Sequence, residues 1–244
     1  MVDGLYEEGP ARQAALKIMA GCDALVAVGG DGTVICAAKL AAGLDIPLLG
    51  INAGKLGFTT GIEADELALL AQLAEGGWQE EHRTMLGVTL EGQSGSQCFL
   101  ALNDAVVSAE LAKIIEYKMA IGHNTGYVYR ADGFLVATPT GSTAYSLSAG
   151  GPVVEPTLNC MIYTPICPHS LSDRSVVFAP DTLLTVEIPR NRSRVYLTVD
   201  GAIPVELKAG DRLTFGGTKS FARFIKLTNR YFYDILNKKL LETS

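Results

Sequence analysis

The first strongly apolar run, Ala24-Leu25-Val26-Ala27-Val28, stops abruptly at Gly29-Gly30-Asp31-Gly32-Thr33. Consecutive apolar residues, two of them β-branched, predict a strand covered on both faces, as in a parallel sheet; the run is too short for a free-standing helix. From Thr33 the stretch Val34 to Ala42 has helical character, and Gly43 is its expected end. Ile46 to Asn52 reads as a second buried strand, with Pro47 near its start, where a missing amide donor is tolerated. Two such strands joined by a helix make a parallel β-α-β unit. Upstream, Pro10 opens a predicted amphipathic helix through Met19 that packs on the first strand. Downstream, Asp65 is expected to cap a helix carrying Leu67, Leu70 and Leu73 on one stripe and closing at Gly76-Gly77.

From about Arg83 the pattern changes. Short β-rich runs recur between Gly, Pro, Asn and Asp: Met85 to Leu90, Phe99 to Val107, Ile114 to Ile121, Tyr127 to Tyr129, Leu135 to Thr138, Met161 to Thr164, Leu183 to Ile188, Val195 to Val199, Pro204 to Leu207 and Phe221 to Leu227. Strands at such spacing predict a β-sandwich or related layered sheet, and one segment near Ser142 to Ser148 is helical. Asn229 to Leu241 predicts a last helix. The expected division is an α/β domain over 1-82, a β-rich domain over 83-228, and a C-terminal helix, 229-244, returning to the first domain.

Composition narrows the class. The 244 residues are 48% hydrophobic and 19% charged, as in an ordinary globular protein. No apolar run reaches the ~20 residues of a membrane span, and no cleavable leader is visible, so the expectation is a cytoplasmic protein without a membrane partner. A formal charge of -6 without a basic block speaks against nucleic acid. Five cysteines without CxxC spacing argue against a disulfide framework or a structural zinc site. Cys22 and Cys36 read as small core residues. His82, His123 and His169 have no ligand spacing, so no metal site is assigned.

Two stretches carry candidate chemistry. At the first strand's end, glycines allow positive φ and close approach of a ligand, and successive amides at a helix start bind anions, so Gly29, Gly30, Gly32 and Thr33 form an expected phosphate cradle. Asp31 within it repels phosphate unless a cation intervenes or a hydroxyl is present to lose its proton; a Gly-Asp-Gly tight turn is the bland alternative. The second stretch runs from Tyr129 to Pro152 and concentrates Ser, Thr and Tyr hydroxyls between Thr138 and Ser148. They exceed what a core segment is expected to pair internally, which points to a polar ligand, with Tyr145 offering a flat face for a base. Asn103-Asp104, expected to end a strand, could orient a ribose, although alone the pair is a turn signal.

Together, Gly29-Gly30-Asp31-Gly32-Thr33, Asn52-Ala53-Gly54-Lys55-Leu56-Gly57-Phe58, Asn103-Asp104 and the block Arg130 to Pro152 resemble the NAD kinases. These enzymes phosphorylate the 2′-hydroxyl of the adenosine ribose of NAD to give NADP. The resemblance implies an α/β N-terminal Rossmann-like (phosphofructokinase-like) domain plus a β-rich sandwich C-terminal domain. It implies Asp31 as proton acceptor with Gly32 beside it, Asn103 and Asp104 on the ribose, and Arg130 and Asp132 near the nicotinamide side. Thr140 and the run Thr143, Ala144, Tyr145, Ser146, Leu147 and Ser148 would contact adenine and nicotinamide, and Phe58 would line the adenine pocket. ATP or polyphosphate with Mg²⁺ or another divalent ion is the implied donor, and a homodimer or homotetramer with shared sites the implied assembly.

Two departures stand out. Asp104 replaces the family's usual Glu, and where a strand and helix usually precede the segment matching Asp23, at most one helix is expected here. Two rival readings are a non-catalytic NAD(P)-binding regulator and, further off, a lipid kinase sharing the GGDGT motif. The hydroxyl-rich block is ill suited to acyl chains.

Overall fold

The computed structural model describes residues 10–54, 57–93, 95–111, 113–122, 124, 126–170 and 173–242, the side chains of 11 and 240–242 excepted. Lys55 and His123 lie outside them. The elements run α1 (Pro10–Met19), β1 (Leu25–Gly29), α2 (Asp31–Leu44), β2 (Leu48–Asn52), β3 (Ile62–Glu63), a 3-10 segment (Ala64–Leu70) and α3 (Ala71–Glu75). Then come β4 (Gln79–Gly92), β5 (Gly95–Ala101), β6 (Asp104–Ala109), β7 (Ile115–Ile121), β8 (Tyr127–Ala131), β9 (Gly133–Ala137), a 3-10 turn (Thr140–Thr143) and α4 (Tyr145–Ser148). The remainder is β10 (Met161–Ile166), β11 (Val176–Phe178), β12 (Leu184–Glu187), β13 (Val195–Val199), β14 (Val205–Leu207), β15 (Arg212–Lys226) and α5 (Phe232–Glu242). Two compact units result: residues 1–83, 155–157 and 220–244, and residues 84–154 and 158–219.

In the first unit β1 lies parallel to β2, Leu25 opposite Leu48 and Gly29 opposite Asn52, and β2 also pairs in parallel with β3 and with the end of β15 at Phe224. Every residue of β2 is buried. Its Leu49 and Ile51 join Ile62 and Ile225 in a core closed by Leu69, Leu70, Leu73 and Trp78. On the opposite face α2 comes so close that a Cβ on Gly50 would lie 3.0 Å from Val34 Cγ2. Gly50, the one small residue of β2, thus sets how near helix and sheet approach.

Several expectations change here. β1 is covered on one side only: Val26 is 42% and Val28 61% exposed. An apolar run expresses a tendency to bury, which one partner strand satisfies in part. No described side chain of α1 is buried, so the helix does not seal β1. Helix α2 passes Gly43 and ends at Asp45, which takes the left-handed conformation (φ 55°) and returns its amide to Ala41 and Ala42. Downstream, Glu63 rather than Asp65 is the cap: its carboxylate and that of Glu66 form a reciprocal capping box. Cys36 is buried but Cys22 is exposed.

The second unit stacks two antiparallel layers. One sheet has the order β11-β10-β9-β6-β13-β14; the other joins β15, β12, β7 and β8 and carries the β4-β5 hairpin. Alternate residues point inward from both, including Val88, Tyr117, Met119, Val186 and Phe215 from one layer and Val107, Phe134, Val136, Tyr163 and Leu197 from the other. Phe134 is the hub, 4.5 Å from the Tyr117 ring and edge-on to Phe215 at 5.9 Å. The predicted strand Phe99 to Val107 is in fact two, broken at Leu102-Asn103, and Phe221 to Leu227 is the end of one long strand, β15. Both differences matter for the site, the first most.

Candidate functional site

In the first unit Asp31 is the first residue of α2, where the helix dipole favours a carboxylate. The turn before it is tight without being left-handed: Gly30 has φ -90° and ψ -175°. Glycine is required for closeness instead, because a Cβ on Gly29 would lie 2.5 Å from Thr33 Oγ1. The Thr33 and Val34 amides both donate to the Gly30 carbonyl, at 3.0 and 3.2 Å, and so are turned into the helix rather than outward as the cradle expectation had it for Thr33.

The Asp31 carboxylate reaches across to the loop after β2. Its Oδ1 accepts from the Thr59 amide (3.0 Å) and the Thr59 hydroxyl (2.6 Å), and its Oδ2 from the Phe58 amide (3.2 Å). Gly57 makes room, since a Cβ there would stand 2.5 Å from Oδ1. Asp31 is therefore no turn residue bonded to its own backbone; it is fixed by a loop 27 residues away. Lys239 of α5 adds a cation, Nζ 3.7 Å from Oδ2 and 3.9 Å from the Phe58 ring centroid. The Phe58 carbonyl accepts from Arg83, and its ring lies against Phe232.

In the second unit a cavity of about 420 Å³ gathers Asn103, Asp104, Ala144 and Tyr145 with Asp200 and Gly201. Asp200 was not foreseen, yet it organises the site. Its carboxylate accepts three backbone amides: Leu102 at 2.9 Å, Asn103 at 2.8 Å and Asp104 at 3.1 Å. The strand break at Leu102-Asn103 is thereby stabilised, and Asn103 is turned out of the ladder. Asp200 (φ 49°) and Gly201 (φ 68°) are successive left-handed residues closing β13. The Asp-Gly dipeptide after an alternating strand was the available signal for that turn. Asp104 is 6% exposed, and burial, then the neighbouring Asp200 charge, push its carboxyl up to about 7. The Asn103 Oδ1 atom is buried without a hydrogen-bond partner among the described residues.

Several hydroxyls of the hydroxyl-rich block are paired within the protein. Thr138 Oγ1 donates to the Leu102 carbonyl and accepts from the Gly141 amide (3.1 Å). Ser142 bonds both backbone groups of Val154, Thr143 donates to the Thr140 carbonyl, and Ser146 pairs with Thr164. These hydroxyls are satisfied internally, those of Thr138, Ser142 and Thr143 by backbone and that of Ser146 by another side chain. Thr140 is the contrast: its Oγ1 is buried with no partner among the described residues. Tyr145 (45% exposed) presents its ring at the cavity, and Ser148 is exposed, whereas Leu147 is half-buried. Arg130 and Asp132, at the β8-β9 turn, are not among the residues that line the cavity. Arg130 is exposed and paired with Glu116 at 2.9 Å, and the Asp132 amide donates to Ile166.

Residues 10–77 match the ATP-NAD kinase N-terminal domain and residues 102–227 the ATP-NAD kinase C-terminal domain. The NAD kinase of Symbiobacterium thermophilum is 44% identical over 224 residues, 91% of this chain and 79% of the relative; that of Natranaerobius thermophilus is 42% identical over 88% of this chain and 77% of its own length. Among solved structures, yeast NADH kinase complexed with NADH superposes with a TM-score of 0.81 at 28% identity, over 89% of this chain and 66% of that one. An NAD kinase from Archaeoglobus fulgidus in complex with ATP gives 0.73 at 28% identity, over 95% of both. With one model matched around Asp31 and the other around the Asn103-Asp104 turn, the chain belongs to the NAD kinase family.

Proposed function

We propose that this phosphotransferase moves the γ-phosphate of ATP to the 2′-hydroxyl of the adenosine ribose of NAD, giving NADP, with Asp31 accepting the hydroxyl proton. The observation that carries the assignment of Asp31 is its fixation: a carboxylate at a helix N-terminus, locked by Phe58 and Thr59, is aimed and cannot swing away. The archaeal relative's complex with ATP and the yeast relative's with NADH support a triphosphate donor and a nicotinamide dinucleotide acceptor. In this reading residues 1-82 with the terminal helix bind the donor and hold Asp31, and residues 83-228 bind NAD.

Asn103 and Asp104 hold the ribose, and the unpartnered Asn103 Oδ1 and Thr140 Oγ1 are what a bound nucleotide would satisfy. Tyr145 stacks on a base, and Phe58 lines the adenine pocket. Polyphosphate would offer the same terminal phosphoryl group. In this reading Mg²⁺ or another divalent ion comes on the phosphates as part of the donor. When bound there it offsets phosphate charge. Phosphoryl transfer is loose, so positioning and electrostatics dominate, and a carboxylate, a weak base for a sugar hydroxyl, takes its proton late. We place the reaction in the cytoplasm and in a homodimer or homotetramer; no described helix is long and apolar enough to cross a membrane.

The test is NADP formation from NAD and MgATP by the wild-type protein beside Asp31→Asn. Turnover should fall by roughly 10²–10⁴-fold, as for loss of a general base, with NAD affinity retained. Loss of NAD binding in the variant would remove Asp31 from the proton-accepting role.

A further inference from the structure

A triphosphate brought next to Asp31 meets a negative charge, and the fold supplies the answer from its far end. We propose that Lys239 is a catalytic residue of the transfer: in the resting protein its ammonium pairs with Asp31, and with substrates bound it passes to the terminal phosphate of the donor. The proposal deepens the kinase assignment above and rests on it.

The geometry around Asp31 is asymmetric. Oδ1 is filled by two short bonds from Thr59, at 3.0 and 2.6 Å. Oδ2 receives a longer bond, 3.2 Å from the Phe58 amide, and faces the Lys239 ammonium at 3.7 Å, beyond ordinary hydrogen-bond length. Oδ2 is therefore the oxygen with capacity to take a proton, and Lys239 stands beside it. The side chains are 25% (Lys239) and 36% (Asp31) exposed, so the pair is open enough for substrate to enter.

Phe58 keeps the ammonium in place: Nζ lies 3.9 Å from the ring centroid, an attraction to the π face that uses no directed hydrogen bond. A lysine suits an exchange of partners. Its charge is compact, its protons can turn, and its stem is flexible, where an arginine fork would lock onto a carboxylate.

The exchange follows from the charge flow. The ribose 2′-oxygen forms a bond to the γ-phosphorus while the bond from that phosphorus to the β–γ bridging oxygen breaks, and ADP leaves with the electron pair. The hydroxyl proton passes to Asp31 Oδ2. Asp31 becomes neutral as this happens, and the ammonium, which the bound donor has already drawn toward its terminal phosphate, is left wholly to the phosphoryl oxygens where charge has gathered. A lone carboxylate would have no such compensation.

Helix α5 has other anchors, the buried Leu236 and the Phe232 ring 6.1 Å from Phe58, so losing the Lys239 charge need not undock it. The test compares wild type, Lys239→Met and Lys239→Arg for NADP formation, with kcat and KM for MgATP and for NAD determined separately, beside thermal melts. Lys239→Met should lower kcat on the order of 10²-fold and raise KM for MgATP, with KM for NAD and Tm little changed; Lys239→Arg should recover most of kcat. Wild-type kcat and KM for MgATP in Lys239→Met would overturn the proposal. So would equal losses in both variants accompanied by a lowered Tm, which would make the pair a structural peg. If the wild type forms no NADP, the kinase assignment has failed, and calorimetry with MgATP alone still decides about Lys239: weaker binding in Lys239→Met supports the phosphate contact, and equal binding refutes it.

Discussion

Asp104→Asn should stabilise this protein, and more so at alkaline than at acid pH. Asp104 is 6% exposed and sits beside Asp200, and its carboxyl is pushed from an ordinary 3.8 up to about 7, first by burial and then by the Asp200 charge. Between those two values the folded protein keeps a proton that the unfolded chain has shed. Stability therefore falls as pH rises from about 4 to about 7 and is level above, because both states are then ionised. With each unit worth about 1.36 kcal/mol, the shift amounts to about 4 kcal/mol at pH 8 and under half of that at pH 5. Asparagine keeps the shape and cannot ionise. Its advantage over wild type should thus grow by about 2–3 kcal/mol between pH 5 and pH 8, or roughly 5–10 °C in Tm for a chain of this size. Melting curves of both proteins at unit intervals of pH measure this directly. A Tm difference that stays flat across the range would show that Asp104 ionises in the folded protein as easily as in the unfolded chain, and would refute the burial argument. The substitution should also weaken NAD binding, if the carboxylate holds the ribose.

Gly141→Ala should disturb the Asn103-Asp104 turn, since its Cβ would overlap the Asn103 carbonyl, a backbone atom that cannot step aside. We expect a loss of about 1–3 kcal/mol or more, as in overpacked cores, and a matching loss of NAD affinity; normal NAD binding would refute it. Tyr163→Phe leaves the buried Tyr117 hydroxyl without the 2.7 Å bond that now satisfies it, and should cost about 1–3 kcal/mol in urea unfolding. The double variant Tyr117→Phe, Tyr163→Phe should recover part of that, because no orphaned hydroxyl remains, and a strictly additive double variant would refute the pairing argument.

What the sequence made legible is what depends on neighbours in the chain. The β1-α2-β2 unit follows from apolar runs and glycine punctuation, and the β-rich half from short strands between turn residues. What it hid depends on partners far away. Asp200 caps amides nearly a hundred residues earlier, and nothing around position 200 announces that beyond a turn. Glycine was also ambiguous by nature, serving left-handed backbone and close approach equally. At Gly29 it is closeness that matters, while at Gly76 and Gly201 it is left-handed backbone, which Asp45 and Asp200 also adopt. Counting hydroxyls likewise could not separate ligand contacts from internal bonds, since Ser142 finds both its partners on Val154.

That correction changes how the hydroxyl-rich block works. Thr138 receives the Gly141 amide and gives to the Leu102 carbonyl, and its own amide donates to the Asn103 carbonyl at 2.8 Å. Gly141 presses against the same residue. From the other direction Asp200 grips the amides of Leu102, Asn103 and Asp104. The Asn103-Asp104 turn is thus moulded by two segments, one supplying donors to its carbonyls and one accepting from its amides. A polar turn held this way loses little freedom when a nucleotide arrives, which is the energetic advantage of preorganisation. Thr138 and Gly141 therefore brace the Asn103-Asp104 turn, Ser142 and Ser146 bond elsewhere in the protein, and Thr140 Oγ1 is buried without a partner among the described residues while Tyr145 and Ser148 are exposed.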